Sequence, residues 1–232
     1  MRTLATSLAL SVALAWAGPT FAQDPPAAGV QVVGDAVVFN GQINARSAAE
    51  FLRLLRDDPT ITRLVIGSRG GNVTAALDMA LAVHERRLDV EVPRACLSSC
   101  ANYVFPAGRR KILGWPGAVA WHGNMTHVLY LQQTGQASWS DQQIAGARQL
   151  ARREADFFRR IGVDGFVCWF GKIAPYDIED FYWLSVPDME RFGIRDVTVR
   201  DASIAPANGE LRPVVVDWAT LDAARPAVSL DP

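Results

Sequence analysis

Two short strand-like runs, the apolar Leu64-Val65-Ile66 and Val90-Glu91-Val92, each lead into a turn of small residues and then into a segment of helical periodicity. The first is followed by Ser68-Arg69-Gly70-Gly71-Asn72 and a helix expected over 73–86. The second is followed by Cys96-Leu97-Ser98-Ser99-Cys100 and a helix expected to end near residue 105. This order constrains the chain more than its composition does. A strand can reach a parallel neighbour only by a crossover, and such crossovers are right-handed. The continuous apolar run at 64–66 also suits a strand covered on both faces. The expected class is α/β, with a mainly parallel sheet built from strand–helix repeats.

The flanking segments fit that class. Residues 30–33 and 36–39 are β-rich runs around Gly34-Asp35, a hairpin signal. Ser47 and Glu50 have capping-box spacing and predict a helix to residue 56 that buries Ala48, Phe51, Leu52 and Leu55. Residues 111–113 and 118–121 read as further strands. Ser140 and Gln143 form a second capping box ahead of a long helix, with Ile144, Ala147, Ala151, Ala155 and Phe158 at helical spacing and Gly162 at its end. Shorter helices are expected at 166–173 and 187–192, the latter closed by Gly193. From residue 200 onward Pro and Ala become common, which predicts an extended tail of 200–232 with one edge strand at 214–218.

The N-terminus sets the expected compartment. Met1-Arg2 precedes an apolar stretch over 4–16, then Gly18-Pro19-Thr20-Phe21-Ala22. That is the layout of a secretory signal peptide, 1–22, cleaved after Ala22. The stretch falls short of the ~20 residues of a spanning helix. Residues 23–29 read as a flexible leader, and a single domain follows over 30–199. The formal net charge is −1, with no basic stripe interleaved with aromatics, so nucleic acid is not expected as a partner. Three cysteines are too few for a disulfide scaffold. Cys96 and Cys100 lack the second pair or the histidine that zinc requires, so no metal is expected. In an exported chain the pair would meet oxidising conditions, and it is either an i,i+4 disulfide or two thiols.

The turn between those cysteines carries the candidate chemistry. A serine hydroxyl becomes a useful nucleophile when a base lies within hydrogen-bond reach. Ser98 or Ser99 would sit where a strand gives way to a helix, where unused N–H groups favour an oxyanion; either could equally be a helix cap. Of the three histidines, His122 follows an apolar strand, at the strand end where sites of open α/β sheets gather. His84 lies among charged residues of a helix, and His127 is expected on a loop. The Gly70-Gly71 turn could direct backbone N–H groups at a developing negative charge. It lacks the spacing of a phosphate loop.

Taken together, these motifs resemble the Clp protease proteolytic subunit and its relatives in the ClpP/crotonase superfamily. Ser68-Arg69-Gly70-Gly71-Asn72-Val73 is similar to that family's Ser-Pro-Gly-Gly turn. Ser98-Ser99-Cys100-Ala101 is similar to its Ser-Met-Gly-Ala. Leu184-Ser185-Val186-Pro187-Asp188 through Gly193-Ile194-Arg195-Asp196 resembles its Leu-Ser-Ala-Pro-Glu…Gly-Leu-Val-Asp segment. The Cys-bracketed serine turn looks more like exported relatives. The resemblance spans roughly residues 32–197 and implies a ClpP/crotonase-like fold with a C-terminal helical extension. It implies Ser98 as nucleophile, His122 as base, and the N–H groups of Gly71 and Ser99 as the oxyanion hole. Phe181 falls opposite the family's triad aspartate, so Asp180, one position away, is the expected third member, with Asp177 and Glu179 nearby. Arg69 and Cys100 replace the family's Pro and Gly.

The implied function is a secreted, periplasmic serine peptidase acting on a peptide or protein substrate, with no cofactor. Relatives assemble into rings or trimers, so a homo-oligomer is expected; no ATPase partner is expected where there is no ATP. The alternatives are a non-catalytic peptide- or protein-binding module and, less compatible with export, a crotonase-type acyl-CoA enzyme.

Overall fold

The computed structural model describes residues 29–114, 117–200 and 213–231. The expected signal peptide, nearly all of the expected leader and the first part of the tail lie outside the described residues. Strands β1 (Val30–Val33) and β2 (Ala36–Asn40) form the expected hairpin and open a six-stranded sheet. After helix α1 (Ala45–Asp57) come β3 (Arg63–Gly67), α2 (Val73–Glu85) and β4 (Asp89–Val92). Strands β5 (Ala95–Leu97), β6 (Lys111–Leu113), β7 (Ala118–Ala120) and β8 (Val197–Val199) complete the set. The large sheet runs β1-β2-β3-β4-β6-β8, and every pairing after the hairpin is parallel. The fold is α/β with a mainly parallel sheet.

A break in two of these strands builds the site. Pro93 has no N–H to give a ladder, so β4 ends there and the chain resumes as β5. Past the end of β6, at Gly114, the chain likewise resumes as β7. Strands β5 and β7 pair in parallel as a second, two-stranded sheet. The end of β3 reaches it through Ser68, whose N–H donates to Ala95 O (2.9 Å) and whose carbonyl accepts from Leu97 N (2.9 Å). Three carboxyl ends thus converge: Gly70 after β3, Ser98 after β5 and His122 after β7.

The helices follow from capping and from one apolar face. Helix α1 begins earlier than expected, because Asn44 is its cap: Asn44 Oδ1 accepts from Ser47 N (3.0 Å) and Ser47 Oγ accepts from Asn44 N (3.0 Å). Ser47 is therefore the box partner, and Glu50 pairs with Arg53 instead (2.7 Å). Ala48, Phe51 and Leu55 are buried, with Leu52 only partly so. Helix α3 (Met125–Gln133), capped by Asn124, occupies the segment expected to be a loop, so His127 is helical. Helix α4 (Asp141–Ile161) has the expected Ser140/Gln143 box and buries Ile144, Ala147, Ala151 and Phe158. It packs on α2 and α3. Residues 165–172 form two short 3-10 turns rather than one helix. Helix α5 (Val186–Arg191) is capped by Ser185.

The tail departs from expectation. Residues 214–218 make no strand; Asp217 accepts from Thr220 N (3.2 Å) and caps helix α6 (Trp218–Ala224). Trp218 docks on Phe192 (ring centroids 4.7 Å apart), with its indole N–H on Asp188 (2.9 Å). An aromatic anchor and a cap outcompete an exposed sheet edge there.

The main core runs under both sheets, through Phe39, Phe51, Leu64, Ile66, Leu77, Val90, Tyr103 and Trp121. Leu64 is wholly buried, so truncating it to Ala should cost about 2–5 kcal/mol. On β3, Leu64 and Ile66 are buried and Val65 half-buried, an alternating pattern rather than cover on both faces.

Candidate active site

Ser98 lies directly after β5, with a backbone φ of 55°. That left-handed conformation is uncommon outside glycine and stores strain that the surroundings must hold. The surroundings do so from several sides. Ser98 N donates to Ala120 O at the end of β7 (3.1 Å), and Ser98 O accepts from Asn102 N (2.7 Å). A disulfide joins Cys96 and Cys100, and a π-helical turn over Cys100–Val104 begins at once. A sharp, strained strand-to-helix turn is how several hydrolase folds expose a nucleophilic serine.

The two serines, equivalent by residue type, part company here. Ser98 Oγ lies 2.7 Å from His122 Nε2. Ser99 Oγ donates to Gly71 O (2.8 Å) and makes no cap bond. The glycine turn is pressed against the serine turn. A side chain at Gly70, where φ is 89°, would bring its Cβ to 2.6 Å from Leu97 O and 2.8 Å from Ser98 Cβ. One at Gly71 would run into the Ile43 carbonyl. Ile43 N donates to Gly70 O (2.9 Å), and Asn72 N donates to Ile43 O (2.8 Å). The amides of Gly71 and Ser99 donate to no acceptor among the described residues. Those are the N–H groups an oxyanion hole would need.

The histidine side is built differently. Trp121 N donates to Tyr182 O (2.8 Å), and Tyr182 N donates to Trp121 O (3.0 Å). Both side chains of this antiparallel pair are buried. By alternation, their neighbours His122 and Phe181 face the other way and meet, with ring centroids 4.4 Å apart. Asp180 is exposed, and among the described residues its hydrogen bonding is through its backbone carbonyl, which accepts from Lys172 Nζ (2.7 Å). The structure does not bring Asp180 to His122. A one-residue slip would be needed, and it would expel Tyr182, whose hydroxyl donates to Val167 O (2.7 Å), from the core. Asp177 and Glu179 are likewise exposed and make no bond to His122 among the described residues.

Lys172 was not anticipated. Its ammonium donates to the carbonyls of Ile178 (2.8 Å), Glu179 (2.5 Å) and Asp180 (2.7 Å). Burial, and then the charge of Lys172, hold His122 below the usual imidazole pKa of 6.5. A neutral imidazole can accept the serine proton at neutral pH. His127 stacks on Trp169 (5.7 Å), and burial pushes its pKa down to about 4.

Glu154 of α4 was also missed, although the signal was present. It sits three residues after Ala151 and four before Phe158, on the buried stripe of the helix, and it is fully buried. Tyr103 OH donates to its Oε1, as does Met125 N (3.2 Å).

No protein-family model matches the chain, and no curated protein matches it. Among solved structures it is similar to ClpP1 from Listeria monocytogenes, at 15% identity and a TM-score of 0.41, over 72% of this chain and 91% of that one. It is also similar to the ClpP protease catalytic domain from Plasmodium falciparum, at 14% identity and a TM-score of 0.42, over 75% and 89%.

Proposed function

We propose that this chain is an exported serine peptidase of ClpP/crotonase-like architecture that works with a Ser98–His122 dyad. The supporting observation is the 2.7 Å contact between Ser98 Oγ and His122 Nε2, made by a serine in a strained turn. Ser98 Oγ attacks the peptide carbonyl as its proton passes to Nε2. The Gly71 and Ser99 amides receive the oxyanion, and His122 returns the proton to the leaving amine. Water then hydrolyses the acyl-enzyme with the same histidine as base. No cofactor enters these steps.

A ring faces His122 where a carboxylate would orient it. Loss of that partner lowers kcat about 10⁴-fold in a triad enzyme, so a slow catalyst is expected. The same feature favours a second reading, a non-catalytic module that binds peptides or proteins. Export is supported by the layout of residues 1–22 and by the Cys96–Cys100 disulfide, which belongs to oxidising compartments.

One experiment separates the readings. Protein recovered from the exported fraction should have an intact mass that begins at Gln23, and a fluorophosphonate should label it. Labelling should vanish in Ser98→Ala and persist in Ser99→Ala. A wild-type chain that takes no label at any pH would leave the binding module standing.

A further inference from the structure

Among the described residues no carboxylate bonds the His122 ring, so its alignment to Ser98 is left to the backbone on either side. Upstream the Trp121–Tyr182 pair fixes it. Downstream, Gly123 N donates to Cys168 O (2.8 Å), and Gly123 O accepts from Asn102 Nδ2 (2.8 Å). Two residues further on, Met125 N donates to Glu154 Oε1 at the start of α3 (3.2 Å). The same Oε1 accepts from Tyr103 OH, and Tyr103 lies in the π-helical turn that begins two residues after Ser98. One buried carboxylate thus grips both the helical turn behind the nucleophile and the helix behind the base.

We infer that Glu154 is a positioning residue that holds the Ser98 and His122 arms in register through Tyr103 and the N-terminus of α3. The inference rests on the dyad reading above. A carboxylate placed at a helix N-terminus complements the unused N–H groups there, which suits it to seat α3. It is also a costly choice for a core, since a leucine in that stripe would pack without desolvating a charge. Among the described residues the second oxygen, Oε2, is buried with no partner at full hydrogen-bond geometry, although the Thr126 amide and hydroxyl face the carboxyl. Asn102 Oδ1, next to Tyr103 in sequence, is likewise buried without a partner. A group kept at that cost and bonded to both arms of the site is better explained by alignment than by packing.

The groups that face this carboxyl are the Tyr103 hydroxyl, the amides of Met125 and Thr126, the Thr126 hydroxyl and the Cys168 thiol. Burial outweighs the hydrogen bonds and pushes Glu154 up to about 7. Its ionisation therefore falls in the range where the site would work.

The test follows the His122 imidazole by NMR during a pH titration, alongside the rate of fluorophosphonate labelling at pH 8. In the wild type, the His122 signals should show an extra inflection near pH 7, from Glu154. Glu154→Gln should remove that inflection and slow labelling about ten- to a hundredfold, the scale of a small misplacement of reacting groups. Tyr103→Phe keeps the ring but withdraws a hydrogen bond that favours the carboxylate. It should move the inflection to higher pH and slow labelling less, and it carries the test by itself if Glu154→Gln does not fold. An inflection that survives in Glu154→Gln, or stays in place in Tyr103→Phe, overturns the inference; so does wild-type labelling in the folded variants. A wild type that takes no label refutes the peptidase reading instead, and the imidazole titration still decides the positioning.

Discussion

The two sides of the candidate site are held by unlike means. The nucleophile side is over-determined: a disulfide spans Ser98, two backbone hydrogen bonds hold it, and the Gly70–Gly71 turn is packed against it. The base side has close backbone support, but among the described residues no polar group other than Ser98 bonds the ring. Phe181 covers one face of His122, and the nearby charge is the cation of Lys172, tied to three carbonyls. Positional strain is maintained on one side, while on the other the electrostatic assistance to an imidazolium is lacking. A site of this kind should be brittle at the serine and improvable at the histidine.

The largest effect should come from breaking the rigid side. Gly70→Ala forces a Cβ into Leu97 O and Ser98 at a φ of 89°. Labelling of Ser98 should fall more than about a hundredfold, because the turn must move to admit the methyl group. A wild-type labelling rate in that variant would mean the turns are looser than their packing indicates.

The next effect should be a gain on the other side. Phe181→Asp places a carboxylate against the imidazole ring and stabilises the imidazolium that proton transfer creates. Labelling should rise about tenfold, a part of what an orienting carboxylate supplies in a triad. The pH profile gives the sign independently. In the wild type, loss of the neutral base with acid should come at lower pH than for an ordinary imidazole, because burial and then Lys172 hold the His122 pKa down. In Phe181→Asp the carboxylate raises that pKa, so the fall should begin at higher pH. A profile that does not move would show that residue 181 cannot reach the ring.

Smallest is the loss of the covalent brace. Replacing Cys96 and Cys100 together with Ala releases a loop of only a few residues, a change of roughly 2 kcal/mol in chain entropy. Calorimetry should show Tm lower by about 4–8 °C. An unchanged Tm would mean that hydrogen bonds alone fix the turn.

Much of the framework was legible in the sequence because its signals are local. The hairpin at Gly34-Asp35, the Ser140/Gln143 box and the short helix between Pro187 and Gly193 each depend on residues within a few positions of one another. The convergence of Gly71, Ser98 and His122 was also legible, since each follows a strand and parallel strands gather their carboxyl ends. Helix α3 was hidden because its start depends on Asn124, which reads as loop until the chain after it is seen to turn. Glu154 was readable as a stripe position, but its charge argued against burial until Tyr103 and Met125 were seen to meet it.

The sequence by itself determined the order of elements, the turns that carry the candidate chemistry and the histidine that could serve them, because spacing and small residues act locally. Residue type alone left Ser98 and Ser99 equivalent, and the family resemblance pointed to Ser98. The tertiary structure brings the Ser98 hydroxyl, and not that of Ser99, to His122 at a distant strand end. It alone placed Phe181 rather than Asp180 at the ring. The register of residues 180–182 is set by burying Tyr182 beside Trp121, and a strand's alternation then sends every neighbour to a fixed side.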